Sequence, residues 1–420
     1  SAASDVYKRQ LLLRPTQSPV LFVQQLGRGL RLHHGKDACT VFDFLGLQHE
    51  EFNFEERFKA LTPARGKRFV EEIEGGFPSA PPGSNITLDR ATTERVLANV
   101  RRLARTSVKK IRALVSEQNT TDLAAFVDRS GVPVEDIYRR KGITWTTLLR
   151  DVNLAPEGSA VEMEAFLLSR IRVLLHVNDA ARMNAYRQLI APDGPVERDM
   201  SPEMKRYATM LVLAVWANSN TTIPSTLNEA LAILRSYPAF SAELNQVMRL
   251  SVDRSRVIPQ PSSISILETH ADYSLAELVG ALDDGPLSSL AYLPREGVKR
   301  FDASNTDLFL VTFHKDDNVS ATTNYRDYPL SPDRLHWESQ STTSLKSAMA
   351  KRYIHHHELG GNIIVATRFN KKNGVDTAAA YTFLGSVDYV SHRGEKPIQF
   401  EWSLRRHMPK QLYAAGRTVA

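Results

Sequence analysis

LLLRPTQSPVLFVQQLGRGLR, residues 11–31, followed by ACTVFDFLG, residues 38–46, reads as strand, helix, strand. The first apolar run is closed by Pro15. Ser18 stands as an N-cap with Pro19 at the first helical position, and the second apolar run is closed by Gly46. Two strands joined through a helix imply a parallel pair, with Arg28 and Arg31 near one end of that helix. Residues 11–50 are too few for a domain and read as the last piece of an α/β lobe whose other strands precede Leu11. Residues 1–10, SAASDVYKRQ, are read as a non-native tail.

Arg28 and Arg31 are three residues apart, so they are neighbours on a helix face. Guanidinium is always charged and grips phosphate oxygens bidentately, which suits a triphosphate gathering charge during transfer. Salt bridges to Asp37 or Asp43 would use the same side chains, and spacing alone leaves both readings open.

At 420 residues, 42% hydrophobic and 24% charged, the chain fits two to four domains of a globular protein. No apolar run approaches the roughly 20 residues of a membrane span, so no membrane partner is expected. Lys and Arg number 53 against 47 Asp and Glu, a mild excess that permits a polyanionic partner. One cysteine, Cys39, excludes an internal disulfide framework and a cysteine-based zinc site, and a cytoplasmic location is expected.

Downstream of the α/β piece, residues 51–155 read as a helical accessory region interrupted by GGFPSAPPGS, residues 75–84. Between Arg90 and Leu114 stand Arg90, Arg95, Arg101, Arg102, Arg105, Lys109, Lys110 and Arg112 against Glu94 alone. This reads as one basic helix, with Arg101, Arg102, Arg105 and Lys109 as candidate phosphate contacts; a solvated charged face is the alternative. The following short helices begin at a Thr121 cap and turn at Gly131. Residues 156–260 read as a helical bundle, with EMKRYATMLVLAVWANS apolar on most sides. RVIPQPSSIS marks a linker. Residues 264–412 then read as a β-rich α+β domain, from runs such as TDLFLVTFHK, GNIIVATRF and IQFEWSLRR. The expected fold class is thus multi-domain: α/β, then α, then α+β.

Gln24-Gln25-Leu26-Gly27-Arg28-Gly29-Leu30-Arg31 resembles motif VI, Q-x-x-G-R-x-x-R, of the superfamily 2 helicases, in the bacterial branch near restriction and repair enzymes. The resemblance implies that residues 11–50 end a second RecA-like lobe, that Arg28 and Arg31 are an arginine-finger pair, and that Gln24 and Gly27 line the ATP cleft. It implies ATP and Mg2+ as cofactors of a longer parent. This chain has no G-x-x-x-x-G-K-[ST] loop and no D-E-x-[HD] box, so alone it should bind neither and should not hydrolyse ATP. The implied partners are the upstream lobe of the same parent and a nucleic acid, DNA by preference. A role in repair or phage defence follows only from family context.

Further runs, including THADYSLAELVGAL, TDLFLVTFHK, LSPDRLHWESQSTTS and YTFLGSVDYVSHRGEKPIQFEWSL, resemble the domain of unknown function that ends many such helicases. Tyr325, Arg326, His336, Trp337 and Gln340 are candidate nucleic-acid contacts on an irregular loop, through stacking, phosphate and base-edge chemistry. The alternative is that Trp337 and Tyr328 anchor the β core. HHHELGG, residues 355–361, reads as a solvated loop rather than a metal site, since consecutive residues of a strand cannot all face one ion. The leading expectation is the C-terminal part of a helicase or translocase. A stand-alone nucleic-acid-binding or interaction module is the rival, and a nuclease using Glu338 is a weaker third reading.

Overall fold

Pro19 does open a helix between two strands. In a computed structural model, β1 (Arg9–Leu12) and β2 (Thr40–Asp43) pair in parallel, Arg9 opposite Thr40, and α1 (Pro19–Gly29) separates them in the chain. Before Ser107 the structure describes residues 9–12, 19–29, 39–43, 54–58, 61–62, 67–78, 80, 85–89, 92–94, 96–97 and 100. From Ser107 it describes the chain to Arg417 except 159–161, 256–259, 262–264, 295–296, 314–326, 374 and 376. The expected Ser18 cap lies outside the described residues. β1 begins inside the expected tail: Arg9 and Gln10 join the ladder, and the Gln10 amide donates to the Gln25 carbonyl at 2.6 Å. Ladder bonds are made by backbone groups, so such an extension asks little of the side chains.

The chain divides into two compact units at Thr106/Ser107. In the first, α2 (Phe54–Phe58) and α3 (Lys67–Glu74) build a small phenylalanine core. Phe58 stacks on Phe77 at 5.4 Å and meets Phe22 of α1 edge-on at 6.3 Å. The fully buried Arg57 guanidinium lies over the Phe22 ring and pairs with Asp43 of β2.

The second unit opens on a series of capped helices. α4 (Val108–Gln118) starts from Ser107, whose hydroxyl accepts the Lys110 amide while its backbone is extended. The expected continuous helix through Arg112 is therefore broken at Ser107, where a strong N-cap restarts it. α5 (Leu123–Ser130) is capped by Asp122, not Thr121; the Asp122 carboxylate accepts the Ala125 amide at 3.0 Å. Gly131 then takes the left-handed conformation expected of a turn. α6 (Val134–Tyr138), α7 (Trp145–Asp151), α8 (Glu162–Arg170), α9 (Ala180–Ile190), α10 (Pro202–Trp216), α11 (Leu227–Arg235) and α12 (Pro238–Asp253) follow. α10 is buried on nearly every side from Tyr207 to Trp216, as its composition predicts.

After the short pair β3 (Gln260–Pro261) and β4 (Glu268–Thr269) come β5 (Asp272–Tyr273), α13 (Leu275–Leu282), α14 (Leu287–Leu290), β6 (Val298–Phe301), β7 (Thr306–Thr312), β8 (Tyr328–Ser331), β9 (Arg334–Glu338), α15 (Ala348–Ile354), β10 (Asn362–Arg368), β11 (Tyr381–Arg393), β12 (Gln399–Leu404) and α16 (Lys410–Arg417). β5 to β12 form one eight-stranded mixed sheet in the order β6-β7-β10-β11-β12-β9-β8, with β5 beside the start of β11. β7 and β10 run parallel and the other neighbours antiparallel.

Side chains alternate across this sheet, and both faces are covered. Leu308, Leu310, Ile364, Ala366 and Phe383 face a core shared with the helices, which is continuous from Ile111 onward. Phe309, Val311, Ile363 and Val365 face a second core built around Trp337, Tyr353, Phe400 and Trp402. The segment HWESQ, expected in an irregular loop, places His336, Trp337 and Glu338 in β9 instead. His336, Trp337 and Glu338 are buried without alternation, and such burial on both faces hides the period-two signal.

A buried polar network ties α9, α13 and β5 together. Glu277 forms a capping box with Ser274, and its carboxylate accepts Arg182 Nη1 at 3.0 Å and the Tyr186 hydroxyl at 2.8 Å. It also lies 2.5 Å from His176 Nε2. Arg182 Nη2 donates to the Asp272 carbonyl at 2.7 Å, and its guanidinium lies over the Tyr273 ring. Burial alone would raise the Glu277 carboxyl, but Arg182, His176 and the Ser274 amide outweigh it and hold the group well below the usual carboxylate range.

Candidate functional site

Gln24 to Gly29 of the arginine motif belong to the C-terminal half of α1. Gln24 and Gly27 are exposed, and a side chain at Gly27 would meet nothing within 4 Å. Arg28 belongs to the helix, although its side chain lies outside the described residues; Arg31 lies outside them altogether. Asp43, one of the two carboxylates considered as partners of the motif arginines, pairs with Arg57. Burial raises the Asp43 carboxyl, and the Arg57 charge and hydrogen bond oppose that. Around this helix Leu11, Leu21, Val23 and Phe42 are 59%, 52%, 47% and 47% exposed, a concentration of open apolar side chains in a unit whose strands run parallel.

Of the basic residues chosen from sequence, Arg101, Arg102 and Arg105 lie outside the described residues. Lys109 is exposed on the first turn of α4, beside exposed Lys110. Arg112, one turn later, is neutralised by Asp151 at 2.6 Å. Charge on α4 is therefore carried by the lysine pair.

The aromatic candidates fare differently. Tyr325 and Arg326 lie outside the described residues. Trp337 is 5% exposed and stacks on Phe309 with ring centres 4.1 Å apart, so it anchors the core and its ring is not open to a base. His336 is also buried, its ring stacked on Tyr328 at 4.6 Å. Gln340, just past the end of β9, is half-buried. The Glu338 carboxylate is buried and accepts the Gln399 amide at 3.3 Å. Among the described residues no group of three His, Cys, Asp or Glu that could hold a metal includes it.

One such group lies where sequence reasoning expected none. α15 ends at Ile354, and HHHELGG forms a turn after it, as a loop reading requires, but His356 within it is buried and not solvated. That turn carries His356 and His357 to Asp388 of β11, and one ligand atom from each of the three lies within 4.8 Å of the others. The His357 Nε2 lies 2.9 Å from the Asp388 carboxylate, which also accepts Arg405 at 3.0 Å. Those Arg405 hydrogen bonds lead in holding the Asp388 carboxyl below its ordinary range. His356 is buried, its Nδ1 is 3.0 Å from the Tyr353 carbonyl, and burial lowers its pKa. The only local signal was the paired histidines; Asp388 joins them through the sheet, a contact that spacing cannot reveal.

Residues 289–415 match the model of a family described as Domain of unknown function (DUF3427). The match takes in β6 to β12 and both groups just described on that sheet. A separate comparison finds 36 residues that are 61% identical to the Saccharomyces cerevisiae protein named "Putative ATP-dependent helicase IRC3". That likeness covers 9% of this chain and 5% of the yeast protein. It is a local likeness.

Proposed function

We propose that this chain is the C-terminal portion of an ATP-dependent superfamily 2 helicase or translocase, to which it contributes an arginine motif and accessory regions that hold nucleic acid. The observation that carries the reading is the β1–α1–β2 unit. Parallel strands belong in sheets covered on both faces, yet Leu11 and Phe42 on the strands and Leu21 and Val23 on the helix are open. The helices that flank the sheet of a fuller RecA-like lobe are the natural cover. Of the motif, Gln24 and Gly27 on the same helix are exposed, as residues lining a cleft towards a phosphate on another lobe would be. The local likeness to the yeast helicase and the match to DUF3427 support the same reading.

The residues present do not fit Mg-ATP by themselves, since neither a phosphate-cradling loop nor an acidic box occurs in the chain. ATP turnover is therefore assigned to the longer parent. Lys109 and Lys110, with Arg101, Arg102 and Arg105 before them, are the proposed phosphate contacts, and DNA is the preferred nucleic acid.

Sequencing the source DNA upstream of the codon for Leu11 tests the proposal. An in-frame extension encoding G-K-[ST] and an acidic box is the expected result. A stop codon followed by a start codon would overturn the motor reading and leave a free-standing nucleic-acid-binding module. In the extended protein, Arg31→Ala should abolish ATP turnover while sparing nucleic-acid binding. Near-normal turnover would sink the arginine-finger role.

A further inference from the structure

We propose that His356, His357 and Asp388 form a binding site for a divalent first-row transition metal of zinc's class, clipping the turn after α15 to β11. The donor set is two imidazoles and one carboxylate, a combination that suits Zn2+ and its neighbours rather than Mg2+ or Ca2+. In a tetrahedral site with bonds of about 2.0–2.1 Å, donor atoms stand roughly 3.3 Å apart. The donors here already lie within 4.8 Å of one another, so small side-chain rotations complete the set.

The surroundings of each donor favour a ligand. His356 is 2% exposed, and its Nδ1 faces the Tyr353 carbonyl at 3.0 Å. A carbonyl only accepts, so Nδ1 carries the proton and Nε2 keeps its lone pair. That Nε2 is buried and has no hydrogen-bond partner among the described residues. An orphaned imidazole nitrogen, on a residue that converges with a second imidazole and a carboxylate, is costly unless something occupies it. The ring of His357 lies 4.1 Å from that of His356, centre to centre. Asp388 is oriented by Arg405, as ligating carboxylates are commonly oriented by an outer partner. His357 is 61% and Asp388 37% exposed at the side chain, so an ion can enter from solvent and keep a water in its fourth position.

The cluster also has an internal control. His355 precedes the pair and bonds to Glu358 at 3.1 Å, but it is not one of the three converging donors. Its loss should leave binding intact.

The test is calorimetric titration of the untagged, chelator-treated chain with zinc alone, repeated for three variants. Wild type and His355→Ala should bind one equivalent with similar affinity. His357→Ala, at an exposed position, and Asp388→Asn, at a half-buried one, should each lose more than the about 10–100-fold that a missing outer partner costs. Unchanged circular dichroism of these two variants separates ligand loss from unfolding. Binding in the wild type should also weaken as pH falls, because the imidazoles must be unprotonated. Two results would overturn the proposal: no saturable binding by the wild type, or binding that both His357→Ala and Asp388→Asn retain.

Discussion

Glu277 concentrates at one residue what the fold asks of its buried charges. It is fully buried, and so is Arg182, and each is held by opposite charge: Glu277 by Arg182 and His176, Arg182 by Glu277 and Asp179. Glu277→Gln keeps the shape but leaves Arg182 with Asp179 as its remaining carboxylate partner, and should cost about 1.5–3 kcal/mol in urea unfolding at neutral pH. The pH dependence has a definite sign. The carboxyl is held below its ordinary range in the folded state, so its contribution is fully present above the unfolded value of about 4.3. It is lost as pH falls through the folded value. The variant should therefore lose less stability than wild type as pH drops below about 4; parallel acid limbs would contradict the assignment. Residues like this one explain what the sequence conceals. Ser274 followed three residues later by Glu277 announces a capping box, but nothing local announces Arg182, 95 positions away, as its partner. Trp337 is similar: a tryptophan in HWESQ is equally consistent with a stacking face and with a core anchor, and only the Phe309 ring against it decides.

At the scale of elements, legibility follows how much of the signal is local. The strand–helix–strand unit, the Gly131 turn, buried α10 and the strands β7, β10, β11 and β12 all follow from apolar period and punctuation. The break at Ser107 was hidden because the basic run on either side of it continues unchanged. β9 was hidden because both of its faces are buried. Pairing is the least legible feature, since β7 and β10 run parallel although β8, β9 and α15 intervene between them. β11 shows how one residue serves an element. Its first half pairs with β10 and β5 and its second half with β12, and the register with β10 shifts beside Gly385. Gly385 has φ +81°, and an added Cβ would lie 3.1 Å from the Thr269 hydroxyl. Gly385→Ala should destabilise the chain by about 1–2 kcal/mol from the backbone conformation alone. Thermal melting checks this, and a melting temperature equal to wild type would mean that the bend does not require glycine there.

At the scale of the whole molecule, the two units differ in how completely they close their cores. From Ser107 onward the helices and the sheet share one apolar core, and the second face of the sheet encloses another. The unit before Ser107 has a small phenylalanine core and a cluster of open apolar side chains on β1, α1 and β2. This contrast leads to a prediction that separates a covered from an uncovered lobe. Leu11 is 59% exposed here, so Leu11→Thr, which preserves β propensity, should change the stability of this chain by no more than about 0.5 kcal/mol. In a parent whose upstream elements extend the sheet and lay a helix over β1, the same substitution removes a buried leucine and should cost about 1.5–3 kcal/mol. Chemical unfolding of both lengths, with and without the substitution, measures the difference directly. Equal small effects in the two lengths would mean that nothing covers this face, and the α/β unit would then have to be explained as complete. A large effect confined to the longer protein would make the open face of β1, α1 and β2 the seam along which a RecA-like lobe is joined.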